Sequence, residues 1–200
     1  MTLSTDAMVP VLGSGIMAGS DNAALLAAAA DGDQQAWSRI VDRYAGLVWS
    51  VARSFRLGSA DAADVAQATW LRLVEHLRTI RDSDRLGAWL ATTARREALA
   101  LLRHTGRDVP TGDPLDLDAW DDRAEPLELG LLTAERDAQL WQAFRTLPGR
   151  CQRLLRVLLA EPAPSYVEVG EALGIPVGSI GPTRARCLAA LRHRLGPVPG

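Results

Sequence analysis

The chain has 200 residues, 48% of them hydrophobic, which is enough to bury one medium core or two small ones. No stretch reaches the apolar length that spans a bilayer, and the first twenty residues carry no basic residue ahead of a weakly apolar run, so neither membrane insertion nor a secretory signal is expected. The formal net charge is −2 and all 22 basic residues are arginines, a pattern that GC-rich coding explains and that becomes informative only when resolved along the chain.

Residues 1–21 read as a disordered leader, with Met8 and Met17 as alternative starts. A short helix follows at "NAALLAAAA". Trp37, Ile40, Val41, Tyr44, Leu47, Val48, Val51 and Phe55 then recur at three- and four-residue steps, which predicts an amphipathic helix closed by Gly58. A third helix opens near Ser59 with Trp70, Leu73, Val74 and Leu77 on one stripe. It ends around "RDSD", where Ser83 or Asp84 is placed to cap a fourth helix bearing Leu86, Leu90, Ala94, Ala98 and Leu101. Sustained apolar–polar alternation is missing, so the fold class is all-α: two small helical domains joined by a linker.

The linker is residues 106–133, broken by Pro110, Pro114 and Pro126 and carrying a balance of −6. The flanking segments are basic, +3 over residues 76–105 and +4 over residues 134–200. Helical spacing returns with Leu140, Phe144 and Leu147, then with Cys151, Leu154, Leu155 and Leu158, before "EPAPS" interrupts it. Cys151 and Cys187 sit in apolar helical patterns and are expected as separate buried thiols in a cytoplasmic protein.

The stretch "YVEVGEALGIPVGSIGPTRARCLAALRHRL" has helix-turn-helix form. Ser165 can cap its first helix, Gly170 leaves room where two short helices cross, and Gly174 ends the helix. Ser179 is the natural cap of the second helix, with Pro182 at the third helical position. Turning 100° per residue from Ile180 places Cys187, Leu188, Leu191 and Leu195 inside, and Pro182, Ala185, Arg186, Ala189 and His193 outside. Arg186 is the candidate for a base-edge contact, because its fork matches guanine. Arg184 lies toward the inner stripe, aimed at a phosphate or at Glu168 or Glu171; Arg192 and Arg194 flank the helix as phosphate neutralisers.

The same projection from Leu86 puts Thr92, Arg95, Arg96, Leu99 and Arg103 opposite the core. A basic helix beside the polar loop "TIRDSDR" suits a single nucleic-acid strand, with the loop holding an unstacked base. Trp89, at the stripe margin, is either a packed residue or a stacking platform.

The ordered set "ADAADVAQATWLRLVEHL", "LGAWLATTARREALALLR", "LPGRCQRLLRVLL" and "YVEVGEALGIPVGSIGPTRARCLAALR" resembles bacterial RNA polymerase sigma factors of the extracytoplasmic-function group. The resemblance implies a cytoplasmic initiation factor that binds core RNA polymerase and promoter DNA, and that an anti-sigma factor can hold. Region 2 would fall in residues 22–105 and region 4 in residues 134–195, with residues 196–200 as a tail and the acidic linker threading the polymerase's RNA channel. Asp61, Asp64 and Gln67 would meet the polymerase clamp. Arg81, Asp82, Ser83, Arg85, Trp89, Thr92, Arg95, Arg96 and Arg103 would capture the minus-ten element. Ser179, Pro182, Thr183, Arg184 and Arg186 would lie at the minus-thirty-five element. The chain departs from the family pattern at Ala68, where a carboxylate is frequent, at Arg96, where asparagine is frequent, and at Gly181, Pro182 and Ala185, which shifts readout there toward DNA shape.

Neither catalysis nor a cofactor or metal is expected: His76, His104 and His193 share no ligand spacing with the cysteines, and there is no phosphate-binding glycine loop or nucleophile elbow. The alternative is a helix-turn-helix repressor or activator that never touches polymerase, which leaves the basic helix of the first module unexplained.

Overall fold

The structure, a computed structural model, describes residues 18–106 and 134–195, with side chains from residues 21 and 138 onward. Every regular element among them is helical. Helix α1 (Ala18–Ala30) begins inside the segment read as a leader; the rest of that leader, the linker from residue 107 and the tail lie outside the described residues.

In the first half, α1 is followed by α2 (Gln34–Ser54), α3 (Ser59–His76) and α4 (Leu86–His104). Asp33 caps α2, its Oδ1 accepting from the backbone N–H of Gln35 at 2.8 Å and of Ala36 at 3.2 Å. Ile40, Val48 and Val51 of α2 are wholly buried with Leu73 of α3 and with Leu86, Leu90, Ala94 and Ala98 of α4. Neither Ser83 nor Asp84 caps α4, which grows out of a single 3-10 turn, Ser83–Arg85, with no side-chain cap. Val74, placed on the inner stripe of α3, is 52% exposed, because Leu73 takes the inward position.

The second half comprises α5 (Ala134–Arg145), α6 (Gly149–Leu158), α7 (Tyr166–Leu173) and α8 (Val177–Leu195). Ser165 opens α7 with a capping box: its hydroxyl accepts from the Glu168 N–H, and Glu168 Oε2 accepts from the Ser165 N–H at 2.6 Å. Gly174 closes α7 at φ 70°, and a Cβ on Gly170 would lie 3.0 Å from the Ile175 carbonyl oxygen, the close crossing expected there. Ser179 is not the cap of α8. The helix starts at Val177, and the Ser179 hydroxyl donates to the Pro176 carbonyl at 2.7 Å, so Pro182 sits inside the helix. Its ring removes the N–H that would otherwise bond to the carbonyl of Gly178, itself an exposed residue.

Both cysteines are buried as expected, but they are joined rather than free. Cys151 and Cys187 form a disulfide with Cα atoms 5.3 Å apart, tying α6 to α8 across 36 residues. The inner stripes of these two helices face each other, which sets the side chains together. A loop of this size predicts that replacing both cysteines by serine lowers stability by about 2–4 kcal/mol. Urea unfolding without reductant reads this as a shifted midpoint. Two titratable thiols in the native chain, with no midpoint shift in the double variant, would contradict the pairing.

The halves pack on each other as well as within themselves. Buried residues of both join one continuous core. Helix α6 lies on α2, where the Arg153 guanidinium stands 4.6 Å above the Phe55 ring and Arg156 Nη1 donates to the Arg53 carbonyl at 2.8 Å. Helix α7 lies along α4.

Candidate nucleic-acid interface

After α3 the chain turns through residues 77–82 and the 3-10 turn before entering α4. Buried Asn22 of α1 fixes this loop: its Nδ2 donates to the Tyr44 hydroxyl at 2.9 Å and to the Ser83 carbonyl at 3.1 Å, while its Oδ1 accepts from Arg43 at 2.7 Å. Nothing in the polar run "TIRDSDR" announces this anchor, since it comes from sixty residues upstream.

Loop and helix enclose an open recess of about 490 Å³, lined among others by Ile80, Arg81, Asp82, Arg85, Trp89, Thr92 and Arg96. Trp89 is half-buried against the core, lies 5.9 Å from the His76 ring and contributes to the recess lining. Arg81, Asp82 and Arg85 are exposed and Ser83 is half-buried. The recess therefore has an aromatic wall and arginines along its lining.

The α4 face is less open than its projection suggests. Arg96 and Arg103 are exposed, and Arg103 Nε donates to the Leu99 carbonyl at 3.2 Å. Thr92 and Arg95 are half-buried because α7 covers them, and Leu99 is half-buried against the core. Thr92 Oγ1 donates to Glu171 Oε2 at 3.0 Å, and Arg85 Nη2 lies 3.8 Å from Glu171 Oε1. Glu171 also lines the recess, a contact between residues 79 apart that no local pattern signals.

On α8 the outer face stands as projected: Pro182, Ala185, Arg186, Ala189 and His193 are all exposed. Arg186 is held only by long contacts, Nε to the Pro182 carbonyl at 3.4 Å and Nη2 to the Thr183 hydroxyl at 3.3 Å. Arg184 is exposed and donates to the Tyr166 hydroxyl at 3.4 Å rather than to Glu168 or Glu171. Ser179 is half-buried. Thr183 does not share the outer face; it is 9% exposed, three residues beyond buried Ile180 and on the same inward side.

Along α3, Asp64 and Gln67 are exposed and Asp61 is half-buried. Gln67 borders an apolar groove between α2 and α3 formed by Trp37, Trp49, Trp70, Leu71 and Val74. Leu71 is 56% exposed and Val74 52%, an outward apolar pair that reading Val74 as core had hidden.

The family model of sigma-70 region 2 matches residues 40–108, from within α2 through the end of α4. The probable RNA polymerase sigma factor RfaY of Xanthomonas campestris pv. campestris is 28% identical over 84% of this chain and 42% of that protein, so the chain spans less than half of that relative's length. The ECF RNA polymerase sigma-E factor of Escherichia coli (strain K12) is 27% identical over 84% of this chain and 90% of that protein. Among solved structures, CnrH in complex with the cytosolic domain of CnrY superposes with a TM-score of 0.53 at 25% identity, covering 86% of this chain and 94% of that one. The sigma-70 region 2 match, the all-helical architecture and these relatives support an RNA polymerase sigma factor of the extracytoplasmic-function type.

Proposed function

We propose that the chain binds core RNA polymerase in the cytoplasm and directs initiation at specific promoters, with α1 to α4 acting as region 2 and α5 to α8 as region 4. The observation that carries this reading is the recess between the loop and α4. It supplies a tryptophan, three arginines and room for one extruded base, as opening of a minus-ten element demands. The exposed outer face of α8, led by Arg186, presents a separate surface for the duplex of the minus-thirty-five element. No step in this role requires a cofactor. An anti-sigma factor is a partner of the kind that the CnrH complex suggests.

The polymerase-facing surface is assigned to α3: Asp61, Asp64 and Gln67 together with the apolar groove beside Gln67. A protein partner that covers Leu71 and Val74 removes apolar area from water and leaves the carboxylates as a polar rim. Leu71→Asp is expected to weaken core-polymerase binding more than tenfold while leaving the melting temperature nearly unchanged, because the side chain is exposed. Titration of labelled polymerase measures the first and thermal unfolding the second; equal affinity of variant and native chain would move the docking surface elsewhere. Co-elution with core polymerase separates this reading from that of a free-standing helix-turn-helix repressor, which would elute alone.

A further inference from the structure

We propose that α1 is a splint for the loop beside the recess, and that Asn22 is the positioning residue through which it sets the base preference of the recess. This role rests on the reading of the recess given above. Stacking on an aromatic wall and neutralising phosphates tolerate any sequence, whereas choosing among bases needs hydrogen-bonding groups held still against a base edge. Arg81 and Asp82 are exposed at the recess and carry such groups. Their loop makes its own backbone bonds near its two ends. The Thr79 and Ile80 N–H groups donate to the His76 carbonyl at 2.8 and 3.2 Å, and the Arg85 N–H donates to the Asp82 carbonyl at 3.2 Å. Where the loop stands relative to the bundle is set by Ile80, packed against the core, and by α1.

Helix α1 supplies two anchors. Near its start, Asn22 is 2% exposed and uses its whole amide. Its Nδ2 donates to the Tyr44 hydroxyl at 2.9 Å and to the Ser83 carbonyl at 3.1 Å, and its Oδ1 accepts from Arg43 at 2.7 Å. Arg43 in turn pairs with Asp21. The Ser83 carbonyl also accepts from the Leu86 N–H, so Asn22 grips the turn that joins Asp82 to α4. At the other end of α1, Arg78 Nη2 donates to the Ala30 carbonyl at 2.7 Å and to Asp31 Oδ1 at 3.0 Å. A carbonyl in the last turn of a helix lacks an intrahelical partner, and a cation there is favourable. Disturbing a buried, fully bonded amide is costly, so Asn22 fixes the loop where the exposed Arg78 pair only biases it.

Asn22→Asp tests the grip at constant shape. Arg43 compensates the new charge and the Tyr44 hydroxyl can turn its proton to the carboxylate, but the Ser83 carbonyl meets an acceptor in place of a donor. Tyr44→Phe is the control, since it removes the amide's other partner and leaves the Ser83 bond. Arg78→Ala cuts the second anchor at an exposed residue, where folding tolerates the change. Core polymerase carrying the native chain or each variant is titrated with fluorescent forked promoter DNA whose single-stranded minus-ten segment is varied base by base. Thermal unfolding of each chain is measured alongside. In Asn22→Asp, the affinity ratio between the preferred and the poorest base at one position should shrink at least about fivefold, while the poorest base keeps its native affinity. Tyr44→Phe should keep the native ratio, and Arg78→Ala should lower it about twofold. A native ratio in folded Asn22→Asp overturns the positioning role. So does an equal loss of ratio in Tyr44→Phe, which would mark a general loosening of the bundle. If Asn22→Asp unfolds, Arg78→Ala decides, and an unchanged ratio there overturns the splint. Native affinity of Arg96→Glu for every forked template overturns the reading of the recess itself, and the role of Asn22 falls with it.

Discussion

Promoter opening by polymerase carrying the Arg96→Glu chain is expected to fall about a hundredfold below that of the native complex. Arg96 is exposed, lines the recess and has no competing role in the core. A charge-assisted hydrogen bond to a phosphate contributes about 1.5–3 kcal/mol, and the new carboxylate adds repulsion from the same strand. The salt dependence should change in step. Each phosphate neutralised on a single strand contributes about 0.7 to the slope of log affinity against log salt, so the variant's slope should be shallower by roughly that amount. Permanganate footprinting of the melted region at several salt concentrations reads both effects. Folding is not at issue, because exposed substitutions of this kind usually shift stability by less than about 0.5 kcal/mol. Native opening and an unchanged salt slope in the variant would remove Arg96 from the strand path.

Arg186→Ala should act on a different scale and with a different signature. Its guanidinium rests on two long contacts to its own helix, so redirecting it toward DNA sacrifices little. A bidentate contact to guanine contributes roughly 1–3 kcal/mol of discrimination, which corresponds to about 5- to 150-fold at one base pair. Binding across all single substitutions of a minus-thirty-five duplex should therefore lose its preference at one position and keep it elsewhere. A uniform loss over every sequence would reassign Arg186 to a phosphate.

The features legible in the sequence are those set by local chemistry. The Ser165 cap, the helix end at Gly174 and the crowded crossing at Gly170 all followed from residue type and spacing, while the reciprocal Glu168 arm of the cap emerged only in the structure. The outer face of α8 also followed correctly from the phase of Ile180, even though the helix begins two residues before the expected cap. Thr183 shows the limit of carrying a role across by resemblance. Its helical phase alone puts it near Ile180, and the structure buries it there.

Relations between distant segments were not legible. Cys151 and Cys187 lie on two apolar stripes, and nothing in either stripe states that the two face each other. The α4 face reads as open because its basic residues suit nucleic acid. The same basicity suits Glu171, and charge complementarity across 79 residues leaves no periodic trace. Val74 was misplaced for a related reason: an apolar residue on a helix marks a buried stripe or a docking surface, and only the packed neighbours decide which.

Transcription reconstituted from purified chain, core polymerase and a randomised promoter library tests the whole account most directly. Two cationic helical lobes acting on one promoter predict starts confined to templates sharing two spaced motifs, with the upstream motif altered by Arg186→Ala and melting lost with Arg96→Glu. Core polymerase that initiates no differently with the chain than without it would contradict the account.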